Sequence, residues 1–366
     1  MTFRERLLAV FNGEKPDVMP WFADLSYWRS AHQAIGDLPE EYATDEGYLK
    51  LHQEYGVGFY LAYAAPYGIR RDESASIQIE QRRDGHRVLT TYRTPSGEMT
   101  GEQVYLPGSQ THAWTQYPVS RPEHLDIVRD LYDSEDAFPA YEAWLHWDGI
   151  TGGQGVQMAC IPRGGISSLL NEWCGVAALT YLIADAREAV DRAVAAILQR
   201  NARIISVIAD SPAPLVEFCD NLSGEVVTHW FRDYQFDFYV EMNRKLHAAG
   251  KKTLTHVDGT LRGILPLVAE AGVDAAEAVT PMPCGDVAVA DLRELAGPDL
   301  ILFGGMPGAI YSPPFTSDEV RRQVEAVVEH HWEYGRFVLG SADQVPPDAD
   351  MDLVRLTGEL VAKFCG

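Results

Sequence analysis

The second half of the chain alternates short apolar runs with longer amphipathic ones. Residues 253–257 interleave threonine with apolar side chains, which predicts a strand, and His256, Asp258 and Gly259 stand where it stops. A helix over 261–271 follows and closes at Gly272. The unit then recurs. A strand at 274–281 leads to a short helix at 287–296. An apolar strand at 300–305 leads to a helix at 316–334, whose opening residues Thr316 and Glu319 fit a capping box. A strand at 336–341 leads to a closing helix at 350–364. Earlier in the chain, strands at 157–162 and 213–218 flank a long helix at 185–210, and a helix at 233–249 ends at Gly250. The first strand spans 18–24 and carries Asp24 at its end. Strands alternating with helices at this spacing predict a parallel sheet, and their number predicts a closed (β/α)8 TIM barrel, an α/β fold.

The pattern changes at 77–105, where apolar and polar residues alternate with period two around turn signals at 83–85 and 95–97. An antiparallel β insertion is expected there, completed by 114–119. The insertion thus spans 77–117 and covers one side of the barrel mouth. Helices are expected at 2–11, 45–55, 121–131 and 136–147. With no repeat or low-complexity segment, residues 1–366 read as one domain.

Composition is that of an ordinary globular protein, 46% hydrophobic and 23% charged. The formal net charge of −23 argues against nucleic acid and anionic membranes as partners. No signal peptide is visible, and no apolar run approaches a transmembrane span. Five widely spaced cysteines without a CxxC motif fit a reducing cytoplasm.

In parallel α/β proteins ligands bind beyond the carboxyl ends of the strands. Asp24, Glu217, His256, Glu277 and Ser341 are therefore expected to open on one face. Residues i and i+2 of an extended chain point the same way, so His256 and Asp258 should converge with Glu217 of the neighbouring strand. Such a set holds a metal or works as an acid/base group; the blander alternative is a satisfied histidine beside a helix-capping aspartate. Arg163, before Gly164 and Gly165, offers a guanidinium to an anion or merely marks a glycine turn. Aromatic residues of the early loops suit a flat or apolar substrate, or simply pack the rim.

These pieces together resemble the uroporphyrinogen decarboxylase superfamily, which includes zinc-dependent methyltransferases acting on methylated corrinoids. The resemblance is carried by LHAAG at 246–250, HVDG at 256–259, AGVD at 271–274, FGG at 303–305 and PPD at 346–348. It extends to the opening NGEKPDVMP at 12–20 and the hairpin TPSG at 94–97. It implies a (β/α)8 barrel. Two departures bear on function. The decarboxylases carry an arginine-rich motif of the type RQAGRY and an aspartate after the second strand; here 21–30 holds only Arg29 and 61–66 holds no carboxylate. The methyltransferases hold zinc with His-x-Cys and a further Cys; here His256 is kept, Asp258 replaces the first Cys, and 340–343 has Ser341 and Asp343 but no Cys.

The resemblance implies metal-assisted methyl transfer between a methylated corrinoid or small molecule and a thiol or folate-type acceptor. His256, Asp258 and Glu217 would hold zinc or another divalent metal, with Cys219 as an additional thiolate. Asp220 and Asp343 would serve as supporting or acid/base groups. Asp24, Tyr27, Arg29 and Arg163 would bind substrate. The corrinoid would be supplied by a partner protein, and a homodimer is compatible with the reading. The competing expectations are a cofactor-free decarboxylase or lyase of a carboxylic acid and a non-catalytic ligand-binding barrel.

Overall fold

The computed structural model of the protein describes residues 1–226 and 228–365. Its strands, in chain order, are β1 Trp21–Asp24, β2 Tyr67–Arg71, β3 Gln78–Asp84, β4 Arg87–Thr94, β5 Gly97–Leu106, β6 Thr111–Gln116 and β7 Glu135–Pro139. There follow β8 Ala159–Ile161, β9 Leu215–Leu222, β10 Lys252–Val257, β11 Ala275–Val279, β12 Ile301–Pro307 and β13 Phe337–Gln344. The fold is mixed α/β. A seven-stranded parallel sheet runs in the order β1-β13-β12-β11-β10-β9-β8. Its strands are buried on both faces, as expected where helices cover a parallel sheet.

Between β1 and β8 the chain at 58–60 makes isolated parallel bridges, Phe22 to Gly58 and Phe59 to Gly155. The Gly58 amide donates to the Trp21 carbonyl, and that of Met158 to the Tyr60 carbonyl. The approach requires glycine at 155, where a Cβ would lie 1.7 Å from the Phe59 carbonyl oxygen.

Two apolar layers result. Inside the curved sheet, Phe22, Tyr60, Leu215, Leu254, Ala275, Ile301, Phe303 and Val338 pack together. Leu7, Val10 and Phe11 of the N-terminal helix Phe3–Phe11 join this layer. Outside it, Val216, Phe218, Val279, Leu302 and Leu339 meet the helices. Alternate residues of one strand thus serve opposite layers.

The period-two stretch forms a four-stranded antiparallel sheet, β3-β4-β5-β6, with Asp84 paired to Arg87 and Thr94 to Gly97 at its turns. The helix expected over 136–147 divides instead. Residues 135–139 are β7, antiparallel to β2, and the helix begins only at Glu142. Cross-strand pairs Arg70–Asp136 and Arg71–Glu135 accompany the ladder. The helix Ser26–Ile35 was not anticipated. One helical stretch, 165–185, is long and apolar enough to cross a membrane by length and composition, contrary to expectation; 56% of its most apolar window is buried within the fold.

Candidate active site

A cavity of about 410 Å³ is lined by Asp24, Tyr60, Tyr63, Arg163, Glu172, Glu217, Cys219, His256, Glu277 and Asp343, among others. Its acidic floor comes from adjacent strands. Glu217 on β9 lies opposite Leu254, and His256 on β10 pairs in register with Glu277 on β11. Both flanking strands are irregular here. β9 advances four residues, 218 to 222, against two of β10, with Asn221 at a left-handed φ of 50°. β11 advances three against two of β12, with Ala278 at φ 60°. Bulges of this kind re-aim side chains and recur beside active sites.

His256 Nδ1 lies 2.6 Å from Glu277 Oε2, while Nε2 lies 3.9 Å from Asp343 Oδ1. Tyr60 donates its hydroxyl proton to Glu277 Oε1 at 2.9 Å. Glu217, 2% exposed, has Oε1 without any hydrogen-bond partner among the described residues. Ligand atoms of Glu217, His256 and Glu277 all lie within 4.8 Å of one another. Burial, then the nearby Glu277 carboxylate, pushes the Glu217 pKa well above the ordinary carboxylate range. Burial opposes the charge on His256, but Glu277, Asp343 and Asp258 outweigh it and raise the imidazole to about 9. Asp343 is also raised, by burial first, against the pull of His256 and with the push of Glu277. Its side chain is 48% exposed, so solvent screens that displacement.

Both His256 and Asp343 thus hold their protons more tightly in the folded state. The His256 contribution to stability is complete below its unfolded pKa of about 6.5 and disappears as pH rises through about 9. That of Asp343 is complete below about 3.9 and is lost as pH rises through its raised folded value. In metal-free protein, the melting temperature of wild type should therefore fall relative to the His256→Gln variant as pH is raised from about 6 to about 9. A wild-type advantage that grows over that interval would contradict this assignment.

The expected site residues separate into three groups. Asp24, Arg163, Glu217, His256 and Asp343 line the cavity, as does Glu277. Asp24 accepts from Tyr63, at 2.7 Å, and from Gln344, at 2.8 Å. Arg163 donates to Asn221 Oδ1 at 2.7 Å and lies 3.6 Å from Glu172. Tyr27 lines an adjoining cavity, about 430 Å³, that shares Asp343 and Gln344 with the first; its hydroxyl donates to the Ser109 carbonyl.

Three side chains point elsewhere. Asp258 is exposed, accepts from Asn221 Nδ2 at 2.9 Å, and is not part of the Glu217–His256–Glu277 cluster. β10 ends at Val257, so the alternation that would have paired Asp258 with His256 no longer applies, and Glu277 takes the position expected for it. Arg29 donates to the Tyr42 and Ala43 carbonyls and lies over the Tyr48 ring, bracing the 42–44 turn rather than facing the cavity. Asp220 is buried on the helix-facing side of β9, accepting from the Gly164 amide, Gln235 and Tyr239. Burial raises it to about 6 against those donors. It fixes the turn after β8 and so positions Arg163. Ser341 is buried with Oγ unpartnered among the described residues. Sequence reasoning placed Glu277 on the right face but outside the site. The available signal was a carboxylate near the end of the next strand unit.

The titratable groups converge at the carboxyl ends of neighbouring parallel strands, where α/β proteins generally bind their ligands. The chain belongs to the uroporphyrinogen decarboxylase (URO-D) family, whose model matches residues 167–364. Among solved structures it is similar to a methyltransferase from Methanosarcina mazei, at TM-score 0.64 and 13% identity over 100% of both chains. Weaker likenesses are a D-psicose 3-epimerase in the presence of D-fructose and a GH18 chitinase from Flavobacterium johnsoniae. The epimerase has TM-score 0.35 and 13% identity, over 66% of this chain and 83% of the other. The chitinase has TM-score 0.34 and 14% identity, over 59% and 80%. Among curated protein sequences none matches.

Proposed function

We propose that this protein is a metal-assisted methyltransferase, moving a methyl group between a methylated corrinoid or small molecule and a thiol or folate-type acceptor. The observation that carries the reading is the buried Glu217, His256 and Glu277 group, in which one Glu217 oxygen has no hydrogen-bond partner among the described residues. Two neighbouring carboxylates in a dry floor repel each other unless a proton or cation lies between them. One nitrogen and two oxygen donors suit zinc or another divalent metal, with room on the cavity side for an acceptor. A divalent ion held there would lower the pKa of a bound acceptor thiol.

The chain supplies the rest. Glu277 and Tyr60 orient the His256 ring. Asp343, at the mouth, is positioned to take the acceptor's proton. Arg163, steadied by Asn221, meets an anionic group on the substrate. Tyr63, held by Asp24, walls the opposite side. In this reading the sheet closes as a (β/α)8 barrel through the 58–60 bridges. The β3–β6 sheet is then an insertion over the mouth, and a corrinoid protein docks there. The methyltransferase neighbour shares the fold and is consistent with the proposal.

A lone arginine, Arg163, among the lining residues Asp24, Glu172, Glu217, Glu277 and Asp343 makes a poor host for a polycarboxylate. Uroporphyrinogen is accordingly not expected to be decarboxylated; turnover matching that of any other substrate would refute this. The function is tested by elemental analysis of purified protein together with methyl transfer from methylcobalamin to small thiols. The expected result is about one divalent ion per chain at this group and activity lost on chelation. Metal-independent activity, or protein that binds no divalent ion, would overturn the proposal. One observation favours a second reading, a decarboxylase or lyase. The raised imidazole and Arg163 present two cationic groups to one cavity, enough to seat a small carboxylate. Chelator-resistant release of CO2 would select it.

A further inference from the structure

Beside the imidazole–carboxylate group lie two cysteines that the proposed chemistry does not use. Cys160 on β8 pairs in register with Glu217 on β9, so both side chains emerge on the same face of the sheet. Cys219, two residues beyond Glu217, returns to that face. The sulfurs stand 3.9 Å (Cys160) and 4.0 Å (Cys219) from Glu217 Oε2, and the three ligand atoms lie within 4.8 Å of one another. Neither cysteine is in a disulfide, and Cys219 lines the cavity, which gives an ion a way in.

We propose that Cys160, Cys219 and Glu217 form a site for a thiophilic divalent cation of the zinc or cadmium class. Tetrahedral coordination with sulfur at about 2.3 Å and oxygen at about 2.1 Å puts S···O separations near 3.6 Å. The observed spacings exceed that by a few tenths of an ångström, a closure within side-chain reach. Two sulfurs and one oxygen select a softer ion than the one-nitrogen, two-oxygen set next door. Glu217 presents Oε2 to the thiols and leaves Oε1 unpartnered among the described residues. With both positions filled, its carboxylate bridges them. The thiol site shares Glu217 with the proposed methyltransferase centre but does not depend on His256 or Glu277.

The test is a Cd2+ titration of reduced, chelator-treated protein, followed by thiolate-to-metal charge-transfer absorption and by ion count. Wild type should develop the band and bind about two ions per chain. Cys160→Ser and Cys219→Ser should each abolish the band and lose one ion, whereas His256→Ala should keep the band and lose the other ion. Cys284→Ser and Cys365→Ser, away from the cavity, should leave the band unchanged. Should a serine variant fail to fold, alkylation of wild type gives the same information: bound Cd2+ should protect Cys160 and Cys219 and leave Cys284 reactive. No band in wild type, a band that survives both serine substitutions, or a Cys160–Cys219 disulfide in place of bound ion would overturn the thiol site. Failure of the neighbouring centre gives a different signature, an ion count unaltered by His256→Ala with the band intact.

Discussion

His256→Ala is expected to reduce divalent-metal affinity and metal-dependent activity by more than about 100-fold while leaving the protein folded. Removing even a group that only orients a ligand costs roughly 10–100-fold in affinity, and His256 is proposed as a ligand itself. The ring carries little of the core: its neighbours are Glu277, Asp343 and cavity space rather than the packed interior layer. Glu277 keeps the Tyr60 hydroxyl as a donor, so it is not left wholly unsatisfied. Glu217 and Glu277 do lose the imidazolium that offsets their charge, and a modest fall in melting temperature should accompany the change. His256→Gln, which retains a polar group of similar reach, serves as the folding control. Full activity in the two variants, with or without metal, would remove His256 from the site; metal-independent activity in wild type that is lost in the variants would retain the residue and discard the ion.

Glu217→Gln is expected to make the metal-free protein more stable, by about 1–3 kcal/mol, and to forfeit metal binding. Glu217 is buried, has an oxygen without a partner among the described residues and faces a second carboxylate, and each of these penalises the ionised form. Because its folded pKa is raised, the wild-type penalty grows with pH, so the advantage of the variant should widen from about pH 5 to about pH 8. Saturating divalent metal should reverse the order. Wild type then gains RT ln(1 + [M]/Kd), about 2.7 kcal/mol at a hundredfold excess over Kd, and the variant gains much less. The crossover is measured by thermal melts with chelator and with metal. A variant less stable than wild type under both conditions would show that Glu217 is already well accommodated, and the argument for a cation between the acids would fail.

The parallel strands were legible because their apolar runs are bounded by glycine and polar clusters, as at 300–305 and 253–257. The helix start at Thr316 was legible from its own residues, and the Glu319 carboxylate turns back to accept from the Thr316 amide at 2.8 Å and from the Thr316 hydroxyl. Glu217 and His256 were accessible to the same reasoning, since each lies late in a recognisable strand. Glu277 as the partner of His256 was not. That pairing depends on the register of β10 against β11 and on the bulge at Ala278, neither of which is written in the local pattern. Asp258 was misassigned for the complementary reason: alternation holds only while the strand continues. Arg29 and the strand at 135–139 were misread because their partners, the 42–44 carbonyls and β2, are distant in sequence.

The bridges at 58–60 have one more consequence. Between β12 and β13 the ladder is continuous over six paired positions, from Leu302–Phe337 to Pro307–Ala342. At 58–60 the neighbours are joined by isolated bridges. Amide hydrogens of Gly58 and Met158 should therefore exchange with solvent sooner than those of β12. Tyr60 and Tyr63 are carried on or just beyond this seam and form one wall of the cavity. A bulky ligand would enter by spreading that seam, against the least resistance the sheet offers, while the acids and imidazole opposite stay in register.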